Sequence, residues 1–302
     1  MKPLLFAMPG NEQFTARLAE LLNAEVGALS TRRFPDGETY IRLDSDVVTR
    51  SVTLVCTLDR PDDKALRLLL AADAARSLGA VSVGLVAPYL AYMRQDRRFL
   101  PGEAVTSQSF ARLLSANFDW MVTVDPHLHR RSSMAEIYSI PVGVCHAAPR
   151  IAAWIRANVA NPIVIGPDVE SEQWVSAVAI SAGAPFTTLE KNRRGDREVE
   201  IIVRDIDQWR DRQPVLVDDI ISSGRTMEMA VGQLIARGFS APVIVGVHGL
   251  FAEDAFERLR AAGAGLIVST NTVPHATNAI DLCEVVHGAV SQRQTASPTR
   301  YR

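Results

Sequence analysis

The sequence predicts an α/β protein with a largely parallel sheet in each of two halves, and three observations predict it. Short apolar runs rich in valine and isoleucine alternate with longer amphipathic stretches, the pattern of a sheet with crossover helices. At 302 residues the chain exceeds the size at which one hydrophobic core stops growing, so two domains are expected. The apolar run ending at Val124 leads into Asp125-Pro126-His127, and the run ending at Ile165 leads into Gly166-Pro167-Asp168. A duplicated fold would produce such an echo, and so would chance.

The elements follow in order. An apolar run at 4–8 is the first strand, and Pro9 and Gly10 end it before a helix over 12–22. Further buried strands are expected at 52–57, 81–87 and 120–124, with helices over 63–78 and 106–117 between them. The second half reads as strands at 162–165, 199–203, 215–217, 243–247 and 265–268, with helices over 151–158, 171–182, 226–237 and 253–262. A boundary falls near Pro141 to Pro149, giving domains over 1–143 and 144–286 and a tail over 287–302. The residues from Ser291 on are polar and uncapped, and fraying is expected there.

Composition narrows the function classes. The apolar fraction of 47% and charged fraction of 22% exclude a mainly disordered chain. A formal net charge of −2 carries no basic excess, so no nucleic-acid partner is expected and any anion site must be local. The opening apolar run is too short for a signal segment or a membrane span, so a cytoplasmic protein without a membrane partner is expected. Cys56, Cys145 and Cys283 are far apart in apolar stretches and read as buried thiols rather than a disulfide or zinc framework.

The strongest local signal is VLVDDIISSGRTM at 215–227, a buried strand followed by two carboxylates, a loop of small residues and a helix start. In an open α/β sheet, ligands bind at the carboxyl ends of strands, where this loop lies. Ser222, Ser223, Gly224 and Thr226 supply hydroxyls and backbone N–H groups suited to a phosphate monoester, while Asp218 and Asp219 suit a sugar diol or a metal-bound diol. A capped helix behind a solvated acidic pair gives the same pattern, although capping alone needs only one polar residue.

Four other segments carry chemistry. APYLAYMRQDRRFLPGEAVT at 87–106 follows a strand and gathers Arg94, Gln95, Asp96, Arg97 and Arg98, guanidiniums that grip a polyphosphate and an amide that reads a purine edge, or else a solvated charge run. RRFPDGETYIR at 32–42 is by itself a hairpin turn around Pro35 and Gly37. VTVDPHLHR places His127 and His129 past a strand end, and GPDVES does the same for Asp168; a histidine there is commonly a hydrogen-bonded structural residue. His129 falls on the opposite side if the strand continues and is not expected to be a ligand. LEKNRRGDREVEI at 189–201 reads as an exposed, mobile loop, and its Lys191 is one of only three lysines in an arginine-rich chain.

The 215–227 segment resembles the ribose-phosphate loop of the type I phosphoribosyltransferase fold. All five motifs together, in this order, resemble the ribose-phosphate diphosphokinase (phosphoribosyl pyrophosphate synthetase) family, and 99–104, DDIIS and DPH look most like its archaeal-type members. The resemblance implies two type I phosphoribosyltransferase-like domains with parallel sheets flanked by helices, the first lacking the ribose phosphate loop and the last segment returning toward it, with site residues converging at the domain interface. It implies transfer of the pyrophosphoryl group of ATP to the C1 hydroxyl of ribose 5-phosphate, with AMP leaving. Asp218 and Asp219 would hold the ribose hydroxyls, and Ser222, Ser223, Gly224 and Thr226 the 5-phosphate. Arg94 and Gln95 would hold ATP, with Phe34, Asp36 and Glu38 supplied by a neighbouring copy in a homo-oligomer. His127 and Asp168 would hold Mg²⁺, while Lys191 and Arg193 would neutralise charge on the transferring group. Glu170, Ser171 and Arg225 depart from commoner family residues, which keeps a non-catalytic associated subunit open beside an ordinary phosphoribosyltransferase. The stretch 99–104 has no cationic side chain and includes Glu103, so activity independent of inorganic phosphate is expected.

Overall fold

The computed structural model describes residues 2–128, 130–168, 171–194, 198–202 and 206–295. The chain forms two compact units, one running to Cys145 and resuming at Cys283, the other His146–Leu282.

In the first unit the elements are β1 (Leu4–Ala7), α1 (Glu12–Leu22), β2 (Glu25–Gly27), β3 (Leu29–Arg33), β4 (Thr39–Leu43), β5 (Ser51–Val55), α2 (Pro61–Ser77), β6 (Ser82–Ala87), α3 (Thr106–Asn117), β7 (Trp120–Val124) and β8 (Val142–Cys145). Six of these strands form one sheet in the order β2-β1-β5-β6-β7-β8, every neighbouring pair parallel. Every residue of β6 and β7 is buried, as expected where helices cover both faces of a parallel sheet. At Gly84 in β6 a Cβ would stand 2.1 Å from the Trp120 indole on the neighbouring strand, so only glycine lets that large side chain lie across the sheet. α1 turns Phe14, Thr15, Leu18 and Ala19 inward at helical spacing.

The second unit continues with α4 (Ala148–Asn158), β9 (Pro162–Gly166), α5 (Glu172–Ala182), β10 (Phe186–Thr188), β11 (Glu190–Arg194), β12 (Glu198–Ile202), β13 (Gln213–Ile221), α6 (Arg225–Ala236), β14 (Val243–Gly249), α7 (Ala255–Ala261), β15 (Leu266–Thr270) and β16 (Asn278–Ile280). Its sheet runs β10-β9-β13-β14-β15-β16, again all parallel. Numbered within each unit, both sheets share the order second, first, third, fourth, fifth, sixth, and in both an antiparallel hairpin follows the second strand. The echo between the two halves of the sequence is therefore a repeat of the whole topology. A core of Ile165, Leu216, Met227, Leu234, Ile244 and Leu259 ties β9, β13 and β14 to α6 and α7.

Three expectations need correction. Residues 199–203 were expected as a strand of the main sheet, but β12 pairs with β11 in a separate two-stranded hairpin, Lys191 opposite Ile201 and Arg193 opposite Val199. The same hairpin replaces the loop expected at 189–201; the alternation Glu198-Val199-Glu200-Ile201 has a strand's period of two. Residues 287–295, expected as part of a tail, instead lie in α8 (Cys283–Thr295), which belongs to the first unit, where it packs on α1 and β8 and Arg293 donates to the Val142 carbonyl at 3.1 Å. All three cysteines are buried as expected, and burial pushes the thiols of Cys56 and Cys145 up to about 12. Among the described residues no helix is long and apolar enough to cross a membrane.

Candidate functional site

In the second unit β13 lies between β9, the first strand, and β14, the fourth, so β9 and β13 flank the point where the strand order reverses. The crevice outside the carboxyl ends of such a pair is where open α/β sheets bind ligands. Leu216 pairs with Ile165, which sends Asp218 and Asp219 beyond the end of β9, toward the level of Asp168. The Asp219 N–H donates to Asp218 Oδ1 at 3.0 Å. Burial, with the Asp219 and Asp168 charges adding to it, holds the Asp218 carboxyl well above the usual carboxylate range. The Asp219 and Asp168 charges thus reach Asp218 from both strand ends, an electrostatically loaded arrangement that hydroxyl donors would relieve.

Asp168 is fixed by Ser171, whose N–H donates to Asp168 Oδ1 at 3.1 Å and whose Oγ donates to the Asp168 carbonyl at 2.6 Å. The unusual serine is thus built into the Asp168 turn. Glu170 lies outside the described residues, as does His129.

After β13 the chain turns through Ser222 and Ser223 to Gly224, which starts α6 at φ +67° with no side chain capping the helix. That conformation costs an L side chain strain but glycine nothing. The uncapped first turn leaves its N–H groups at the positive end of the helix dipole, in a segment that also carries Ser222, Ser223 and Thr226. The Leu250 and Phe251 N–H groups both donate to the Ile221 carbonyl at 3.0 Å, and Ala252 N–H donates to Ser222 O at 3.0 Å, so the β14–α7 connection braces the turn from behind.

The first unit assembles a second group at the ends of β6 and β7. Arg94 is exposed; Gln95 is half-buried, with Oε1 accepting from Thr106 Oγ1 at 3.3 Å. His127 is half-buried just past β7, and its neighbour Asp125 takes φ +32°. The two segments are joined through Asp96, whose side chain is only 5% exposed: Arg130 Nη1 meets its carboxylate at 3.3 Å and Arg131 Nη2 donates to its carbonyl at 3.1 Å. Sequence reasoning missed this clasp, although the arginine pair following DPHLH was its visible signal. Tyr92, at φ +64°, donates to Asp62, and that hydrogen bond raises the phenol to about 12.

The β3–β4 hairpin carries Phe34, Asp36 and Glu38 at an exposed tip. Its turn is closed by Phe34 N–H to Glu38 O at 2.8 Å and by Asp36 Oδ1 accepting the Glu38 N–H at 3.2 Å. The Arg32 guanidinium lies 4.3 Å from the Phe34 ring centroid and 4.7 Å from that of Tyr40, which fixes the exposed aromatic in place. Lys191 and Arg193 lie on β11.

Among the described residues no three histidine, cysteine or acidic side chains gather as a metal site. Mg²⁺ held chiefly by nucleotide phosphates and water needs only one or two protein donors, and carboxylates such as Asp168 are the hard oxygen ligands it prefers.

Two family models match: the N-terminal domain of ribose phosphate pyrophosphokinase over residues 3–117 and the phosphoribosyl transferase domain over residues 134–257. The chain is 36% identical to the ribose-phosphate pyrophosphokinase of Methanopyrus kandleri, covering 91% of this chain and 94% of that one. It is 33% identical to the enzyme of the same name from Methanothermobacter thermautotrophicus, over 94% and 98% of the two chains. Its fold is that of the phosphoribosylpyrophosphate synthetase from Mycobacterium smegmatis, with a TM-score of 0.84 at 23% identity over 97% of this chain and 99% of that one.

Proposed function

The chain belongs to the ribose-phosphate pyrophosphokinase family, and from that premise we propose how its residues divide the work of the family reaction. The enzyme transfers the pyrophosphoryl group of ATP to the C1 hydroxyl of ribose 5-phosphate, giving phosphoribosyl pyrophosphate and AMP. The C1 oxygen bonds to the β-phosphorus and gives its proton up to solvent, the bond from that phosphorus to the α,β-bridging oxygen breaks, and AMP leaves with the bridging oxygen. Such a transfer needs no protein nucleophile; alignment and charge neutralisation supply the rate.

Asp218 and Asp219 accept hydrogen bonds from the ribose hydroxyls. The hydroxyls of Ser222, Ser223 and Thr226, with the backbone N–H groups at Gly224, hold the 5-phosphate at the start of α6. Arg94 and Gln95 bind ATP from the β6–α3 segment, kept in register with the His127 segment by Asp96. Lys191 and Arg193 on β11 neutralise charge on the transferring group. Mg²⁺ would be held by His127 and Asp168 and would supply charge neutralisation on the ATP phosphates. We also propose a cytoplasmic homo-oligomer in which Phe34, Asp36 and Glu38 of one copy complete the ATP site of another; their exposure at a stiffened hairpin tip supports this.

The observation that carries the assignment is the coincidence of a carboxylate pair, with Asp218 held above its ordinary range, and an uncapped glycine-started helix at the switch point of the second sheet. Ser171 favours a working site over a degenerate one, since it secures Asp168 rather than displacing it. The test is calorimetric titration of ribose 5-phosphate into the wild-type protein and into Asp218→Asn/Asp219→Asn. Binding to the first and none to a folded second is expected; equal binding to both removes the loop assignment.

A further inference from the structure

We propose that Arg258, on α7, is a positioning residue for the ribose 5-phosphate loop: it sets the direction of a phosphate-facing backbone N–H without itself touching the ligand. The inference rests on the assignment of the loop 218–226 made above.

The geometry is specific. Arg258 Nη2 donates to the Ser223 carbonyl at 2.6 Å, Nε donates to Glu228 Oε2 at 3.2 Å, and Nη1 pairs with Asp254 Oδ1. One planar guanidinium thus joins the loop, the first turn of α6 and the start of α7, and spends its donors in three directions. The Ser223 carbonyl and the Gly224 N–H belong to one trans peptide plane, in which they point opposite ways. Drawing the carbonyl to Arg258 therefore turns the Gly224 N–H away from α7. α7 also packs directly beneath the turn, because a Cβ on Gly224 would meet Leu259 Cδ1 at 3.4 Å and Ala255 Cβ at 3.5 Å. The helix that carries the guanidinium is the floor on which the loop rests.

A long-range attraction of the ligand's phosphate is a poor account of this residue. Its charge is matched by two carboxylates, Glu228 and Asp254, so the cluster of three carries no positive excess. What remains is the fork of donors at fixed angles, a property that lysine does not share.

The experiment is steady-state kinetics of Arg258→Ala and Arg258→Lys, with each substrate varied in turn. Loss of a charge-assisted hydrogen bond that orients a ligand donor should raise the KM for ribose 5-phosphate about ten-fold or more in Arg258→Ala. The KM for ATP and kcat should stay within about two-fold to three-fold. Arg258→Lys should recover only a minor part of the loss, and methylguanidinium added to Arg258→Ala should lower the ribose 5-phosphate KM. An unchanged KM for ribose 5-phosphate overturns the proposal, as does an equal rise in both KM values or full recovery in Arg258→Lys. Should Arg258→Ala fail to fold, Arg258→Lys alone decides, wild-type-like affinity for ribose 5-phosphate being the contrary result. A wild-type protein that binds no ribose 5-phosphate unseats the loop assignment instead, a failure distinct from that of the buttress.

Discussion

Replacing Gly224 by alanine puts a number on the backbone geometry of the loop proposed to hold ribose 5-phosphate. At φ +67° an L side chain costs about 1–2 kcal/mol relative to the right-handed region, and the stiffer unfolded chain of alanine returns about 0.4–1 kcal/mol of it. The nearest atoms to the new Cβ are Leu259 Cδ1 at 3.4 Å and Ala255 Cβ at 3.5 Å, ordinary contacts that add little. Roughly 1 kcal/mol remains, and a thermodynamic cycle says where it must appear. If the ligand-bound loop keeps its native conformation, the loss in unfolding free energy of the free protein plus the loss in ribose 5-phosphate binding free energy equals that cost. Should the free loop relax into another conformation, stability is spared and affinity falls by about five-fold; should it hold, stability falls and affinity stays. Urea unfolding and calorimetric titration, run on both proteins, measure the two parts. Wild-type stability together with wild-type affinity would refute the reasoning, because the strained turn would then have no energetic presence in the bound state.

Other consequences concern charge. Asp218→Asn should abolish ribose 5-phosphate binding while stabilising the free fold by about 0.5–2 kcal/mol at neutral pH, since it removes a half-buried carboxylate from beside Asp219 and Asp168. Because the folded state holds that proton to higher pH than the unfolded chain does, wild-type stability should decline as pH rises above the ordinary carboxylate range and level off above the raised value; the variant should lack this slope, as chemical unfolding at several pH values would show. Lys191→Ala should lower kcat by at least about 10²-fold with ribose 5-phosphate binding nearly intact, and near-normal turnover would remove β11 from the mechanism. The Glu103 carboxylate accepts the Phe99 and Leu100 N–H groups at 2.7 and 3.0 Å, so these donors are already taken by an internal anion. Activity should therefore persist after trace phosphate is removed from the assay; activity that collapses and returns with added phosphate contradicts this.

Much of this was legible in the sequence because it is written in local patterns. The helices at 12–22 and 106–117 and the strand at 120–124 coincide with the observed bounds, since each has a periodic or continuous apolar signal and a clear break. The Gly224 turn was legible because an apolar strand, a short run of small polar residues and a helix start follow one another in the sequence. Edge strands escaped: β2 is Glu-Val-Gly with Glu25 and Val26 exposed, and so short a half-polar segment becomes a strand only through its parallel pairing with β1. The return of the last segment to the first unit was implied by the family resemblance, but its helical state escaped for a similar reason. Ser291, Gln292, Arg293 and Gln294 look like a frayed end until Arg293 finds the Val142 carbonyl and Gln294 the Thr53 hydroxyl, partners more than a hundred residues away. The Asp96 clasp and the Arg258 buttress likewise join segments whose proximity only the folded sheet creates.

In the proposed reaction the C1 oxygen of ribose 5-phosphate attacks the β-phosphorus of ATP in one transfer. Turnover of ribose 5-phosphate carrying oxygen-18 at C1, with ATP and Mg²⁺, tests it directly when product and AMP are followed by phosphorus NMR and mass spectrometry. The label should be retained in the oxygen bridging C1 to the pyrophosphoryl group, with one AMP released per product. Release of ADP in place of AMP, or label lost from the bridge, would contradict it.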